Sequence, residues 1–343
     1  MPSATLERRR EILPLSAVRP TRRGLLAGGL GAAALFGLSA CGSDDSSSSG
    51  GSGGEAWSFT DDRGRTVRLS RRPKRIAFLT DTVGASLWAA GLHPVAATDS
   101  GQGIVKAVGP DWSGVAKIYS ADKGVRLEAL AQARPDLLID AVQPDGTLQV
   151  ASQLPEVSKI APVVGLSTYR SIERIAGTAD RLTRSLGGRL TDSAAKERYQ
   201  QAGSRLRKAV AANRDLRVGF VFGIDKNTIG VMNPDTWAVL KTVSALGMRL
   251  LPVPGGKDNT YSQAVSWENV PSLPADLLVW AVSDPLPDNP LWKRAPAVRA
   301  GQLWKPELAS WYAYSWENFT VLLDGLATHV HSARAGVGPR SAS

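Results

Sequence analysis

The sequence predicts an α/β protein built from two similar lobes with parallel sheets. Three observations predict it. One helix–strand unit occurs twice at a fixed offset, short apolar runs alternate with helical patterns in both halves, and an amphipathic helical stretch joins the halves. The repeated unit is "VRLEALAQARPDLLIDAV" (125–142) against "VSWENVPSLPADLLVWAV" (265–282). The copies align without a gap at an offset of 140 residues, with seven of eighteen positions identical. Each reads as a short helix, a proline-containing break and a buried strand. A continuous apolar run after a helix is what a sheet covered on both faces produces.

In the first half, strands are predicted at 75–80, 94–98, 115–119, 136–141 and 162–166. The stretch "DTVGASLWAAG" between the first two reads as a crossover helix with Gly91 as its stop. In the second half, strands are predicted at 216–223, 228–232, 249–253, 276–281 and 302–306. Residues 234–247 form a helix that opens with Pro and closes with Gly. Between the halves, Ile172, Ile175, Ala179, Leu182 and Leu186 share one helical face, and Gly187–Gly188 break it. A second helix restarts at Thr191, a good N-cap. Helical to residue 212, it would run roughly 30 Å and act as a stiff strut between lobes.

The leader is of a different kind. Six arginines precede an uncharged run from Gly24 to Ala40. A basic start, an apolar stretch and small residues at its end describe a secretory signal. Arg22 and Arg23 stand directly before the run, as in a twin-arginine signal, with the general secretory route as the alternative. The run ends in "LSAC", whose Cys41 is the one cysteine of the 343 residues. "LSAC" resembles the lipobox of bacterial lipoproteins, which implies a lipid-modified Cys41 and a membrane anchor. The thirteen residues 42–54 are Gly, Ser and Asp apart from nothing else, and cannot bury a thiol. As a coil they span about 20 Å, enough to hold a domain off a membrane surface. The expected organisation is a signal peptide at 1–40, a tether at 41–56, lobes at 57–170 and 214–335, interlobe helices at 171–213 and a tail at 336–343. The expected location is the outer face of the cell membrane.

Formal net charge is +10, of which residues 1–40 carry six Arg and two Glu, leaving +6 for the rest. That surplus suits an anionic ligand or membrane, or an ordinary basic surface, and falls short of a nucleic-acid binder's clustered charge. Enzyme motifs are weak. "SADK" at 120–123 lacks the partner motifs of penicillin-recognising enzymes, and "GQGIVK" at 101–106 lacks the third glycine of a dinucleotide fingerprint. His93, His329 and His331 are scattered and cannot build a histidine-type metal site. Neither an enzymatic role nor a bound cofactor is expected.

From Trp57 to about His331 the chain resembles the substrate-binding lipoproteins of ABC importers for ferric siderophores, haem and vitamin B12. "DDRGRTVRLSRRPKRIAFL", "LEALAQARPDLLID" and "LWKRAPAVRAGQLWK" carry the resemblance. It implies two Rossmann-like lobes joined by a rigid helix, a ligand cleft between them, and delivery of a captured chelate to a permease. With no histidine-type metal site, a ferric siderophore is the expected ligand, with haem or a corrinoid as the alternative. A monomer is expected. The chain departs from the family in its first crossover, where Ala85 and Ser86 replace an early acidic residue.

Ligands of open parallel sheets sit beyond the carboxyl ends of strands. That rule selects Thr80, Asp81, Thr82, Asp99, Tyr119, Gln143 and Tyr169 in the first lobe, and Phe222 and Trp280 in the second. It also selects the aromatic stretch "ELASWYAYSW", hence Trp311, Tyr312 and Tyr314. The resemblance further implies that Glu128 and Glu268, in one column of the repeat, dock the permease. Alternatively, each steadies the start of its own helix.

Overall fold

The structure, a computed structural model, describes residues 55–99, 111–120, 122, 124–190, 192–253, 261–281, 289–307, 310–311 and 314–339. The signal, Cys41, most of the tether, Thr191 and Tyr312 lie outside the described residues. Ser52–Ser343 form one compact unit.

The described chain opens on an antiparallel hairpin of β1 (Trp57–Thr60) and β2 (Thr66–Leu69). Trp57 and Phe59 alternate inward and stack with ring centres 6.2 Å apart. Next come β3 (Ile76–Phe78), α1 (Asp81–Ala89), β4 (Ala96–Ala97) and β5 (Ala116–Lys117). A small ribbon of β6 (Tyr119–Ser120) and β7 (Gly124–Val125) precedes α2 (Leu127–Gln132), β8 (Leu137–Val142), α3 (Val157–Ile160) and β9 (Val163–Ser167). The first-lobe sheet runs β5-β4-β3-β8-β9, with every pairing parallel. All six residues of β8 are buried. Leu137, Ile139 and Ala141 enter the core on one face, and Leu138 and Val142 the core on the other. This is why the strand reads as an unbroken apolar run.

Two helices follow, α4 (Ile172–Ser185) and α5 (Ala195–Ala212). The second lobe contains β10 (Arg217–Gly223), β11 (Thr228–Met232), α6 (Ala238–Ala245), β12 (Arg249–Leu250) and β13 (Ser262–Ser266). A 3-10 segment at Trp267–Ser272 leads to β14 (Leu277–Trp280), and α7 (Pro296–Arg299), β15 (Leu303–Trp304) and α8 (Trp316–Ser332) complete it. Its sheet runs β13-β11-β10-β14-β15, with β12 also pairing β10.

This second sheet is mixed, where the sequence reading expected a parallel one. β10 pairs in parallel with β12 and β14, and β14 with β15, but β11 is antiparallel to β10 and β13 to β11. The reason is the connection. Only 224–227 separate β10 from β11, and a parallel crossover needs a dozen residues or more. Asp225 holds that turn, its Oδ1 accepting from the Asn227 and Thr228 amides at 2.7 and 2.8 Å.

The helix that joins the lobes is also not the one the sequence reading favoured. α5 starts at Ala195, not Thr191, and its Tyr199, Ala202 and Leu206 lie in the same core as Phe319, Leu322 and Leu326 of α8. It therefore belongs to the second lobe. α4 is the shared element. Ile172, Ile175 and Ala176 in its first half enter the second-lobe core, while Ala179 and Leu182 enter the first-lobe core. Polar bonds fix it from both sides. The Tyr199 hydroxyl donates to Glu173 at 2.6 Å, Trp316 Nε1 to Asp180 at 2.8 Å, and Trp57 Nε1 to Ser185 at 3.2 Å. Burial, then Glu173, push the Tyr199 phenol far above its ordinary range, so it stays a neutral donor.

The two copies of the repeat start their elements in step. α2 and the 3-10 segment begin at 127 and 267, and β8 and β14 at 137 and 277. Pro271 inside the second copy keeps that segment from becoming an α-helix.

Candidate functional site

A cavity of about 570 Å³ opens between the lobes. Three first-lobe segments line it: the hairpin turn at 62–65, the loop after β8 and the loop after β9. The second lobe adds Asp235, Thr236 and Lys241. The first-lobe loops do lie beyond the carboxyl ends of parallel strands.

Buried carboxylates hold these segments in place. Asp61 accepts from the amides of Arg63, Arg65 and Gly165 at 2.9–3.0 Å and from Arg63 Nε at 2.8 Å. Asp62 accepts from the Ser167 amide at 2.8 Å. Together they fasten the hairpin turn to β9. Gly165 permits that approach, since a Cβ there would fall 2.6 Å from Val142 Cγ2 and 2.9 Å from Arg63 Nε. Asp140 in β8 accepts from the amides of Ala141, Val150 and Ala151, which pins the far end of the loop after β8. Burial pushes the carboxyls of Asp62 and Asp140 above their ordinary range, against the amide bonds that pull them down.

Three aromatic rings bridge the lobes beside the cavity. Tyr169 follows β9, Trp237 caps the start of α6 and Tyr261 precedes β13. Ring centres are 6.5 Å apart for Tyr169–Trp237, 5.8 Å for Tyr169–Tyr261 and 6.4 Å for Trp237–Tyr261. Trp237 Nε1 donates to the Tyr261 carbonyl at 2.7 Å. The Tyr261 hydroxyl donates to Gln143 Oε1 at 3.1 Å, while Gln143 Nε2 donates to Gln149 at 3.0 Å. Tyr261 nevertheless stays 39% exposed.

The charges in the wall are mostly positive. Arg63, Arg65, Arg170 and Lys241 face Asp62 and Asp235. Lys241 Nζ donates to the Tyr169 carbonyl at 2.6 Å, and burial lowers its pKa. Guanidinium and ammonium groups beside phenol and indole rings suit an oxygen-rich, anionic or polarised ligand, held by charge-assisted hydrogen bonds and ring contact. Among the described residues, no group of three or more His, Cys, Asp or Glu is placed to hold a metal ion.

Of the residues selected from sequence, Gln143 and Tyr169 line this cavity. Asp81 and Thr82 open α1, with Asp81 buried. Asp99 forms a 3.9 Å ion pair with Lys117. Tyr119 is half-buried in β6. Trp311 is 1% exposed and packs on Phe220 in the second-lobe core, with ring centres 5.8 Å apart. Trp280 is likewise buried, edge-on to Trp292. Tyr314 packs on Phe319, and its amide donates to Ser86 of the first lobe at 3.1 Å. Glu128 and Glu268 are both exposed, each in the first turn of its segment. The sequence reading missed Trp237, Tyr261, Lys241, Arg170, Arg63 and Arg65. Trp237 and Tyr261 flank antiparallel strands, which the carboxyl-end rule does not cover. The adjacent "TYR" of 168–170 was the signal at hand.

Two α/β lobes sharing one connecting helix, with a polar and aromatic cavity between them, define a solute-binding receptor. The match to known proteins agrees. The periplasmic binding protein family model matches residues 88–305, and the chain belongs to that family. Among solved structures it is similar to DesE, a ferric-siderophore receptor protein from Streptomyces coelicolor. Identity is 27%, coverage 81% of this chain and 99% of that one, and the TM-score 0.68. It shares its fold with the siderophore periplasmic binding protein from the fuscachelin gene cluster of Thermobifida fusca, at 23% identity, 75% and 96% coverage and a TM-score of 0.58. The same holds for FhuD2 from Staphylococcus aureus with bound ferrioxamine B, at 18% identity, 76% and 98% coverage and a TM-score of 0.56. No curated protein matches at the sequence level.

Proposed function

We propose that the protein captures a ferric siderophore outside the cytoplasm and delivers it to the permease of an ABC importer, without covalent chemistry. The observation that carries this reading is the interlobe cavity. Its cationic and aromatic wall fits a bulky oxygen-donor chelate, in a chain that shares 27% identity with a ferric-siderophore receptor. The iron arrives already wrapped by its chelator, so the wall needs only to grip the chelate's outer surface.

The test is to titrate the purified protein with a ferric hydroxamate, a ferric catecholate, haem and cobalamin while following tryptophan fluorescence. Submicromolar quenching by a ferric siderophore is expected, with a weaker quench in Trp237→Phe. Tight binding of haem or cobalamin alone would replace the siderophore reading.

Two further parts of the reading stand on the sequence. Cys41 carries the lipid anchor, so Cys41→Ser should be released from the membrane or remain unprocessed. A processed, firmly membrane-bound Cys41→Ser protein would refute the anchor. Glu128 and Glu268 dock the permease, one from each lobe. Like charges facing each other across an interface cost several kcal/mol. Glu128→Arg with Glu268→Arg should therefore abolish uptake and leave ligand affinity unchanged. Undiminished uptake by that double variant would reject the docking role.

A further inference from the structure

Residues 63–75, "RGRTVRLSRRPKR", hold seven Arg or Lys and no Asp or Glu. The cavity accounts for Arg63 and Arg65. Arg75 is engaged by the carbonyls of Ala133 and Arg134 at 2.6 and 2.9 Å. Arg68, Arg71, Arg72 and Lys74 remain exposed, at the opposite end of the hairpin from the cavity.

The end of α4 meets them there. Trp57 Nε1 bonds Ser185, and the Arg72 guanidinium lies against Gly187, where a Cβ would fall 2.8 Å from Nη1. Arg181, Arg184 and Arg189 on this segment are exposed as well. Nearby acids are engaged. Glu55 pairs with Arg72 at 3.3 Å, and Asp136 is bonded to the amides of Lys74 and Arg75. The result is a basic face at the amino-terminal ends of the first-lobe strands. Glu55, which pairs with Arg72 on this face, follows Cys41 by fourteen residues.

We infer that this face is a contact surface for the anionic lipid headgroups of the membrane. The inference rests on the proposed lipid anchor for its proximity. A chain tethered by about 20 Å of coil keeps this face within reach of the headgroups. Juxtamembrane Arg and Lys clusters bind anionic lipid through charge, additively and with salt sensitivity.

The test uses the chain from Gly42 onward, which lacks the lipid but retains the whole compact unit from Ser52. Its partitioning is measured on phosphatidylcholine vesicles with and without phosphatidylglycerol. Binding only to the phosphatidylglycerol vesicles, and release by salt, are expected. A variant with Arg68, Arg71, Lys74 and Arg184 all changed to Ser should bind on the order of a thousandfold more weakly. A control with the same charge change in the second lobe, Lys208, Lys226, Arg294 and Arg299 to Ser, should bind nearly as the parent does. Thermal unfolding verifies that both variants are folded. No binding by the parent, or an equal loss in the control, would overturn the inference. Because this protein carries no lipid, that failure would leave the anchor at Cys41 to its own test.

Discussion

Asp136 and Asp276 occupy one column of the internal repeat and perform the same backbone task in surroundings that differ. Each stands just before the strand beside the central one of its lobe, β8 or β14, and accepts from amides at the start of that central strand, β3 or β10. For Asp136 these are the amides of Lys74 and Arg75, at 2.8–3.1 Å. For Asp276 it is the amide of Arg217, at 3.0 Å. There the likeness ends. Asp276 is fully buried, pairs with the Arg217 guanidinium through both oxygens, and also accepts from the Gly338 amide. Burial opposes its charge, but Arg217 and the amides prevail and hold the carboxyl below its ordinary range. Asp136 is half-buried, and among the described residues no cation is bonded to its carboxylate. A shared residue thus marks a shared strand alignment, and the energy attached to it is set by what else surrounds it.

The largest expected effect tests this difference directly. Asp276→Ala should cost about 3–5 kcal/mol in denaturant unfolding, because it strands a largely buried guanidinium. Asp136→Ala should cost about 1–2 kcal/mol, the value of exposed hydrogen bonds lost. Equal losses would mean that the ion pair adds nothing beyond the backbone bonds.

The aromatic residues of the two lobes extend the comparison. Trp311→Ala empties a core position and should destabilise the fold by about 3–5 kcal/mol. Tyr169→Ala should leave the unfolding midpoint nearly unchanged and weaken ligand binding by about 2 kcal/mol, as loss of an aromatic anchor does. If Trp311→Ala stays fully stable and loses only affinity, the ligand reaches deeper into the second lobe than the cavity does.

Closure should be small, since α4 is built into both cores. Solution scattering with and without ligand should give nearly the same radius of gyration. A large compaction would show that α4 bends.

The smallest expected effect is a pH dependence of opposite sign in the two lobes. An unfolded Asp titrates near about 3.9. Asp276 lies below its ordinary range, so its contribution is present above that value and fades as pH falls through its folded pKa. Asp140 is raised, so its contribution is complete below that value and declines as pH rises through its folded pKa. Over an acid series, the stability gap between parent and Asp276→Ala should narrow toward low pH. The gap between parent and Asp140→Ala should narrow toward high pH. Slopes of the same sign would contradict the opposite environments.

Much of the fold was legible because its signals are local. The run "DLLIDAV" reads as a strand buried on two faces, and β8 is buried at every position. Gly91 and Gly247 read as helix stops, and both have positive φ, +88° and +96°. The antiparallel β11 was expected as parallel, although its four-residue connection is too short for a crossover. The candidate site was far less legible. Tyr169 could be named by its place after a parallel strand, whereas Trp237 and Tyr261 flank antiparallel strands and lie 24 residues apart. Trp311 sits in the densest aromatic stretch of the chain, and no sequence rule separates a ring in the core from a ring in a cleft.

The sequence by itself determined the two-lobed α/β class, the order of nearly every element and the family resemblance, because hydrophobic period, turn residues and the repeat act over short distances. Tertiary structure alone decided which helix joins the lobes. α4 and α5 are both amphipathic, and only packing assigns α5 wholly to the second-lobe core while α4 is divided between two cores. It likewise decided that Gln143, Tyr169, Trp237, Lys241 and Tyr261 converge, for that depends on how two separately folded sheets meet along α4. Burial is a property of the whole assembly, and a residue's type records only what it could do on either side of that surface.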